Sequence, residues 1–395
     1  MHILTVRSLL ADNGPGSQSH TIALELRRRG HTVTFASSGG AYVPTIERSG
    51  FAVHCIPELA YDQHHPRAVF RAVRALAQVI RAERPDIIHG HNAAATICAF
   101  LAGLMCGRRI ACVTSVRGVE ERPSHSWRNR IWRLLPGVLI GVCRKTQQRL
   151  RRFGVPAARI AVSYNGVDTV RFDPAKIDRA QVRRALGVEG RIVVGLTGAM
   201  VGPDCLGGPS KGQHILVRAL GLLKERHPDL AVLLVGDGPR RGEVERIASE
   251  LGVADRVIFA GRRFDVPEML GAMDIYCLPS VWGEFFPNSI LEAMCMGLPW
   301  IGSDLAGLPE LTANRQAGWV LPPRNVEALA EGLSVLAASP ELRAARGARA
   351  RREVLERFTI EKVVDRIEDA YRRAGGGERP SGRDRLEAPE IPAAR

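Results

Sequence analysis

Long apolar runs are absent from this 395-residue sequence. No stretch approaches the roughly 18 apolar residues that a membrane-spanning helix needs, so no spanning helix is predicted. The first residues lack the charged region, apolar region and cleavage site of a secretory signal, which favours a cytoplasmic location. Hydrophobic residues make up 45% and charged residues 24%, which excludes a mainly disordered, collagen-like or coiled-coil chain.

Metal-binding patterns are missing as well. No two of the eight cysteines stand at C-x-x-C spacing, and no cysteine–histidine set has the spacing of zinc ligands. No D-x-D pair occurs in the sequence, so no carboxylate pair for Mg²⁺ is evident. Most cysteines lie in apolar runs, where we expect packed thiols. The sequence therefore predicts neither a metal nor a cofactor.

Lysine is scarce, since it supplies 5 of the 55 basic residues and arginine supplies the others. No nucleic-acid motif accompanies the formal net charge of +14, so a nucleic-acid partner is not predicted. The positive charge is concentrated in residues 120–160, where ten basic residues occur with only Glu120 and Glu121. This basic patch indicates an anionic surface or substrate.

Short β-branched runs alternate with longer amphipathic runs in the first part of the sequence, which is typical of βαβ units and a parallel sheet. Ser17 is placed to cap the first helix and Gly30 to end it. The predicted strands are 2–7, 31–36, 51–56, 86–90, 110–116, 138–142 and 159–163, with helices that include 17–29, 66–84 and 92–106.

The alternation stops at the polar stretch 165–189, which has no strand pattern, and then resumes. The sequence therefore predicts two doubly wound α/β domains. We expect the domains at 1–168 and 169–358, a last helix at 359–374 and a disordered tail at 375–395. The second set of strands is 191–197, 230–236, 256–260, 274–278 and 298–302, with helices at 211–226, 239–252 and 287–297.

A glycine loop, Asn13-Gly14-Pro15-Gly16, joins the first strand to the first helix. Its two glycines would let a ligand approach backbone N–H groups at the helix start. It is not a dinucleotide fingerprint, because Ser19 stands where G-x-G-x-x-G requires glycine. A ligand-binding loop and a plain tight turn both stay open.

Two histidines, His89 and His91, lie where the strand at 86–90 meets its loop. At this spacing they face one side, at the sheet edge where parallel folds bind ligands. Contact of one histidine with substrate is the first interpretation, and two structural histidines the second. Metal ligation ranks last, because no third ligand has an obvious spacing.

The loop at 198–212 is rich in glycine and opens a helix just after Lys211. Glycines, a helix start and a lysine together form an anion site. A nucleoside-triphosphate P-loop is excluded, because Gly208 occupies the position of the required lysine. A flexible loop with a solvated lysine is the alternative.

The most informative pattern is a loop and helix start between Pro279 and Pro299. Pro287 suits the first turn of a helix, whose free N–H groups attract phosphate. Glu284 precedes that turn and Glu292 lies inside the helix, so both could reach one ligand. Carboxylates beside a phosphate site are reasonable if they accept hydrogen bonds from sugar hydroxyls.

On these residues, the sequence from 1 to about 374 resembles the retaining glycosyltransferases of family 4. The E-x7-E pair Glu284 and Glu292 is the most specific element of the resemblance. The supporting elements are the glycine loop at 14–16, His91, Lys211, Asn165-Gly166-Val167-Asp168 and Val235-Gly236-Asp237-Gly238-Pro239. The resemblance implies the GT-B architecture, with two facing Rossmann-like domains, a cleft between them and a last helix that crosses back to the first domain.

The resemblance also implies roles for individual residues. Glu284 would contact the donor sugar hydroxyls, Glu292 would hold the nucleotide ribose, and Lys211 would neutralise the diphosphate. Gly14 and Gly16 would take part in donor binding, and His91 would orient the sugar or the acceptor. The backbone around Phe286, Pro287, Asn288 and Ser289 would line the sugar and phosphates.

Two positions depart from the family pattern. Ala199 stands where an arginine usually shares the diphosphate with the lysine, and Arg262 or Arg263 could replace that charge. Arg117 stands where many members have histidine in a T-x-H-G stretch, which suggests an altered acceptor site.

The implied reaction transfers a sugar from a nucleoside diphosphate, UDP first and GDP second, to a hydroxyl of a glycan or lipid-linked acceptor, in envelope or exopolysaccharide synthesis. The anomeric configuration would be retained and no metal required. The alternatives are a nucleotide-sugar 2-epimerase of the same fold and a catalytically degenerate nucleotide-sugar-binding protein.

The segment 127–135 offers a possible membrane contact. Trp127, Ile131, Leu134 and Leu135 are predicted to share one helical face, with arginines elsewhere, which suits a peripheral helix on an anionic membrane. A surface helix that packs this face on its own core is the alternative.

Overall fold

The computed structural model describes residues 1–11, 14–60, 65–117, 127–203, 208–312 and 316–376. The chain divides into two compact units. The N-terminal unit consists of Met1–Gly166 together with the segment from Ile360 onward, and the C-terminal unit consists of Val167–Thr359.

The N-terminal unit is built on a parallel sheet in which each predicted strand of that region is confirmed. Most of its strand residues are buried, because helices cover both faces of such a sheet, and the strands therefore read as apolar runs. The strand order is β3-β2-β1-β4-β5-β6-β7. The described strands are β1 (His2–Val6), β2 (Thr32–Ser37), β3 (Val53–Cys55), β4 (Ile87–Gly90), β5 (Ala111–Val116), β6 (Val138–Gly141) and β7 (Ile160–Val162).

Helices follow most of these strands along the chain. They are α1 (Gly14–Arg28), α2 (Val43–Arg48), α3 (Pro66–Glu83), α4 (Ala93–Met105), α5 (Trp127–Leu134) and α6 (Arg144–Arg152). The predicted start of the first helix at Ser17 is wrong. The helix begins at Gly14, and the Ser17 hydroxyl donates to the Gly14 carbonyl at 3.0 Å instead of capping the helix. A proline at 15 suits the first turn, and Gly14 and Gly16 of the glycine loop lie inside the helix, whereas Asn13 lies outside the described residues.

The predicted common face of residues 127–135 is also wrong in part. Helix α5 ends at Leu134, which is 78% exposed, whereas Leu135 is 1% exposed and packs in a cluster with Leu139 and Leu150. Successive residues at a helix end point in directions about 100° apart, so the two leucines cannot share a face. Within the described ranges, no helix combines the length and apolar character needed to cross a bilayer.

The C-terminal unit is built on a second parallel sheet, with strand order β10-β9-β8-β11-β12-β13. In chain order, the first five strands of this sheet confirm the five predicted strands, and the sixth was not predicted. That strand is short, and Gly318 at its start allows close packing, because a Cβ there would lie 2.1 Å from the Trp300 ring. The strands are β8 (Ile192–Thr197), β9 (Leu230–Val235), β10 (Val257–Gly261), β11 (Ile275–Leu278), β12 (Trp300–Ser303) and β13 (Gly318–Leu321).

The described helices of this unit include four that the sequence reasoning did not assign, at 179–186, 266–271, 326–338 and 340–357. The predicted helix at 211–226 begins at Gln213, because Gly212 has a φ of +80° and lies outside helical geometry. The described helices are α7 (Arg179–Leu186), α8 (Gln213–Leu223), α9 (Arg241–Glu250), α10 (Val266–Gly271), α11 (Asn288–Cys295), α12 (Val326–Ala338) and α13 (Pro340–Arg357).

The last described helix, α14 (Ile360–Ala374), belongs to the N-terminal unit. Its apolar stripe is buried in the same cluster as Ile3, Phe35 and Val113 of the first sheet. The Tyr371 hydroxyl hydrogen-bonds His89 Nδ1 at 2.8 Å, so a polar contact fixes the helix where its stripe is buried.

The strand orders place one switch point in each sheet. The chain order reverses between β1 and β4 in the N-terminal unit and between β8 and β11 in the C-terminal unit. In doubly wound sheets, ligands bind beyond the carboxyl ends of the strands at these points. Lys211 and Glu284 lie in the connections beyond β8 and β11, and His91 directly follows β4.

The cysteines of the described ranges form no disulfide. Burial raises the pKa of the Cys112 thiol to about 12, which makes it inert. Cys205 lies outside the described residues. The buried free thiols, which pack as the sequence predicts, are Cys98, Cys112, Cys143, Cys277 and Cys295.

Candidate functional site

Close backbone approaches hold Lys211 at the carboxyl edge of β8. A Cβ on Gly198 would lie 3.2 Å from the Lys211 side chain, so the aliphatic part of the lysine packs over this glycine. A Cβ on Gly212 would lie 1.9 Å from the Pro279 carbonyl oxygen, which leaves no room for a side chain. Gly212 is therefore required by geometry, and the packing at Gly198 and Gly212 positions the lysine beside the loop after β11.

Lys211 and Glu284 form an ion pair in the C-terminal unit. The Glu284 side chain is 4% exposed and the Lys211 side chain 33%, so the carboxylate is buried while the ammonium keeps contact with solvent. The Ser280 hydroxyl donates to Glu284 Oε1 at 3.0 Å. The Glu284 carboxylate thus has two donors, and the Lys211 ammonium retains donors for a further ligand.

Helix α11 begins directly after Pro287 and carries no acidic residue in its first turn. Asn288 and Ser289 lie in that turn, and the N–H groups at a helix start give it a positive end that suits phosphate. Ser289 hydrogen-bonds the Tyr276 hydroxyl, which is also 3.0 Å from Thr197 Oγ1. These contacts connect the helix start to the ends of β8 and β11.

Glu292 lies one turn further along α11. Although the residue is half-buried, its carboxyl group lies deep in the unit, and this burial raises its pKa to about 7. The Arg171 cation opposes the rise. Burying a carboxyl group whose pKa is near 7, without a close ion pair, costs folding free energy. Such a perturbed pKa is typical of a functional site.

Phe286 is 3% exposed, and its ring centroid lies 5.5 Å from that of Phe358. Its side chain therefore packs in the unit, and the donor contact of its backbone that the resemblance implies stays a prediction.

The two arginines predicted to replace the missing charge differ in their contacts. Arg263 pairs with Asp265, with Nε 2.8 Å from Oδ1, so its charge is balanced locally. The Arg262 guanidinium lies 5.3 Å from the centroid of the Phe264 ring. A role for either arginine at the diphosphate stays a prediction.

Sequence reasoning missed the residues that support the lysine loop. Gln213 is fully buried, and its Nε2 donates to the carbonyl oxygens of Gly198 and Ala199 at 3.1 and 3.4 Å. Gly236 fits against the same loop, because a Cβ there would lie 2.2 Å from the Gly198 carbonyl oxygen. A glutamine directly after a Lys-Gly pair was the available signal, but its buried contacts could not be read from the sequence.

In the N-terminal unit the two histidines have different environments. Both ring nitrogens of His89 are hydrogen-bonded, Nδ1 to the Tyr371 hydroxyl and Nε2 to Ser115 Oγ, each at 2.8 Å. Burial lowers the pKa of His89 to about 3. His91 stacks on His89 with ring centroids 4.5 Å apart, and within the described part of the chain its buried Nδ1 has no hydrogen-bond partner. His89 is therefore structural, and His91 retains a nitrogen for a ligand.

Gly14 and Gly16 lie in the first turn of α1, in the N-terminal unit. Their carbonyl oxygens accept from the hydroxyls of Ser17 and Ser19, at 3.0 and 2.8 Å. Their predicted part in donor binding stays a prediction. Across the described ranges, no group of three histidine, cysteine or acidic side chains has the arrangement of a metal site.

Two parallel-sheet α/β domains of this kind have the GT-B fold. Solved structures agree: the chain superimposes on a glycosyltransferase of Rickettsia africae with a TM-score of 0.82 at 22% identity, over 94% of this chain and 98% of that one. It also superimposes on Anabaena HepE in complex with UDP, with a TM-score of 0.78 at 23% identity, over 93% of this chain and 99% of that one.

Sequence comparisons identify the family. Residues 13–171 match Glycosyltransferase Family 4, and residues 207–353 match Glycosyl transferases group 1. The chain is 28% identical to N-acetyl-alpha-D-glucosaminyl L-malate synthase of Bacillus anthracis, over 91% of this chain and 93% of that protein. It is 26% identical to an Escherichia coli UDP-Gal:alpha-D-GlcNAc-diphosphoundecaprenol alpha-1,3-galactosyltransferase, over 76% and 79%. The chain belongs to glycosyltransferase family 4 and is a glycosyltransferase.

Proposed function

We propose that this glycosyltransferase retains the anomeric configuration and transfers a sugar from a nucleoside diphosphate to a hydroxyl of a glycan or lipid-linked acceptor. The observation that carries the proposal is the Lys211–Glu284 ion pair beside the loop that opens α11. The ion pair places a cation that can neutralise the leaving diphosphate next to a buried carboxylate that can accept hydrogen bonds from sugar hydroxyls.

The donor we propose first is a UDP-sugar, and a GDP-sugar second. The names of relatives include a UDP-galactose-dependent and a GDP-mannose-dependent transferase, and the Anabaena structures contain UDP or UDP-glucose. The acceptors in these names include a lipid diphosphate and a phosphatidylinositol mannoside, which supports a role in envelope or exopolysaccharide synthesis.

In the proposed reaction, the bond between the anomeric carbon and the diphosphate breaks while the acceptor oxygen attacks the same face. The acceptor proton passes to the departing phosphate, so no separate base is required. Negative charge grows on that phosphate, and Lys211 and the first-turn N–H groups of α11 stabilise it. With an α-linked donor, the product is α-linked.

His91 would orient the sugar or the acceptor through its unpartnered Nδ1. Burial and the neighbouring cations lower its pKa well below the ordinary value, so the ring is neutral at pH 7. We expect His91→Ala to lower turnover with every acceptor. Unchanged kinetics in that variant would assign His91, like His89, to structure alone.

Product analysis tests the proposed reaction. The protein is incubated with UDP-glucose or GDP-mannose and a hydroxyl acceptor, with and without EDTA, and the new linkage is assigned by NMR. We expect an α-linkage formed equally well in EDTA. A β-linkage would contradict retention, and activity lost in EDTA but restored by Mg²⁺ would contradict metal independence. Conversion of the donor without acceptor would instead indicate the epimerase.

Contact with an anionic membrane through 127–135 stays a prediction. Exposed Leu134 beside Arg133 supports it, and burial of Leu135 reduces the apolar surface available. Flotation with liposomes that contain or lack anionic lipid would decide, and equal recovery in both would contradict it.

A further inference from the structure

Arg117 lies just after β5, and no acidic side chain of the described residues forms an ion pair with it. Its Nη1 donates to Asn165 Oδ1 at 2.9 Å, whereas its Nε is buried and has no hydrogen-bond partner among the residues that the structure describes. Burial and the nearby Arg7 cation lower its pKa to about 9, and no carboxylate of the described chain acts in the opposite direction. A buried guanidinium with an unsatisfied N–H group and no opposing carboxylate destabilises the ligand-free protein.

Arg159 shows what a structural arginine looks like in the same unit. Its guanidinium is satisfied by backbone carbonyl oxygens, with Nε 2.9 Å from Gly137 O and Nη1 3.0 Å from Arg133 O. Arg117 has no comparable set of acceptors, so its side chain is not explained by packing of the fold.

Two further residues with side-chain donors, Asn92 and Arg7, lie at the same sheet edge, and Arg7 Nε already donates to the Leu9 carbonyl oxygen at 2.7 Å. Asn92 Oδ1 caps α4 by accepting from Ala95 N at 2.8 Å, which fixes the amide orientation, and its buried Nδ2 has no partner. Arg7 follows β1 and is 7% exposed. The strands β1, β4 and β5 are adjacent, so Arg7, Asn92 and Arg117 lie beyond three neighbouring strand ends at the switch point.

We propose that this edge binds an anionic group of the acceptor, a carboxylate or a phosphate, with Arg117 as its counter-ion and Asn92 as a second donor. The inference rests on the proposed function, because it specifies the acceptor class of that reaction. A guanidinium fork matches both anions, and the neutral ring of His91 leaves the positive charge to the arginines. The donor diphosphate has a cation of its own, Lys211, in the C-terminal unit.

Anion binding is tested on the full chain by thermal stabilisation. Sodium phosphate and L-malate are the probes, each compared with chloride at equal ionic strength. We expect at least one probe to stabilise the wild type. We expect Arg117→Gln to bind that probe with an affinity at least about tenfold weaker. Arg81→Gln, an exposed arginine of α3, is the matched control and should behave as wild type. Lys211→Met should keep the effect, which excludes binding of the probe at the donor site.

Three results would overturn the proposal: no stabilisation of the wild type by either probe, full stabilisation of Arg117→Gln, or loss of the effect in Lys211→Met alone. The ligand-free Arg117→Gln protein should melt at the same temperature as wild type or higher, because it loses an uncompensated buried cation. A melting temperature several degrees lower would assign Arg117 to structure and overturn the proposal as well.

Transfer assays distinguish the two anions. Glycerol 3-phosphate is paired with glycerol, and L-malate with its diamide, and kcat/KM is measured for each. We expect the wild type to prefer one charged member, and Arg117→Gln to reduce that preference about tenfold or more. Equal ratios in both proteins would contradict the assignment. The protein could also be stabilised by a probe through Arg117 and yet turn over no nucleotide sugar. That result would refute the proposed reaction and support the anion site.

Discussion

Lys211→Met is expected to lower kcat by about 10²–10³, with a smaller change in the KM for the donor. The reason is that the ammonium acts mainly on charge that develops on the leaving diphosphate, and loss of one such contact typically costs this much. Lys224→Met is the matched control, because this lysine lies at the end of α8 and donates to the Leu251 carbonyl at 3.4 Å. It should retain wild-type kcat.

The same substitution also tests the ion pair. Without Lys211, the Glu284 carboxylate keeps the Ser280 hydroxyl but loses its cation while 4% exposed. Breaking a buried pair is strongly destabilising, and because the lysine is one-third exposed we expect a loss of about 1–3 kcal/mol of unfolding free energy. Adding Glu284→Gln should recover much of this stability but none of the activity. Recovery of both would show that the lysine serves only as the partner of Glu284.

Glu292→Gln is expected to stabilise the ligand-free protein while weakening nucleotide binding. The carboxyl pKa is about 7 in the folded protein and 4.5 in the unfolded chain, so folding favours its protonated form. The stability that this preference for the protonated form contributes is fully present below pH 4.5 and is lost as the pH rises through 7. Glutamine mimics the protonated state at every pH. The variant should therefore match wild type at pH 4.5 and exceed it by about 1–3 kcal/mol at pH 8.

Nucleotide affinity should fall about 10- to 100-fold in Glu292→Gln at pH 8, because an amide accepts weaker hydrogen bonds from ribose hydroxyls than a carboxylate. Urea unfolding across pH and titration calorimetry measure the two effects. Glu250→Gln, an exposed glutamate of α9, is the control and should change neither. Lower stability at pH 8, or unchanged affinity, would contradict the role proposed for Glu292.

The sheets could be predicted from sequence because strands buried on both faces read as apolar β-branched runs between glycine-rich turns. Short elements were missed, since β13 is four residues long and α10 is six. The longer helices α12 and α13 were missed too, although their length gives room for a helical pattern. Helix ends were unreliable where local geometry decides, as at Ser17, whose hydroxyl bonds inside the helix, and at Leu135, where the chain leaves α5 for the core.

The candidate site was predictable as a set of residue types, since a lysine, glycines and carboxylates near helix starts indicate sugar and phosphate chemistry. Their contacts were not. Lys211 and Glu284 are 73 residues apart, and only the folded sheet brings the loops after β8 and β11 together. The raised pKa of Glu292 and the unpartnered Nε of Arg117 depend on burial, which residue spacing does not report.

The central claim is that the C-terminal unit binds a nucleoside diphosphate through Lys211 and the start of α11. Thermal stabilisation by UDP, GDP and ADP, each with and without EDTA, tests it most directly in wild type and Lys211→Met. A nucleotide at 100 times its Kd should add about 2.7 kcal/mol to the unfolding free energy. We predict that one nucleotide stabilises the wild type equally with and without EDTA, and that Lys211→Met loses most of this effect. Stabilisation by none of the three, or full stabilisation of Lys211→Met, would contradict the claim.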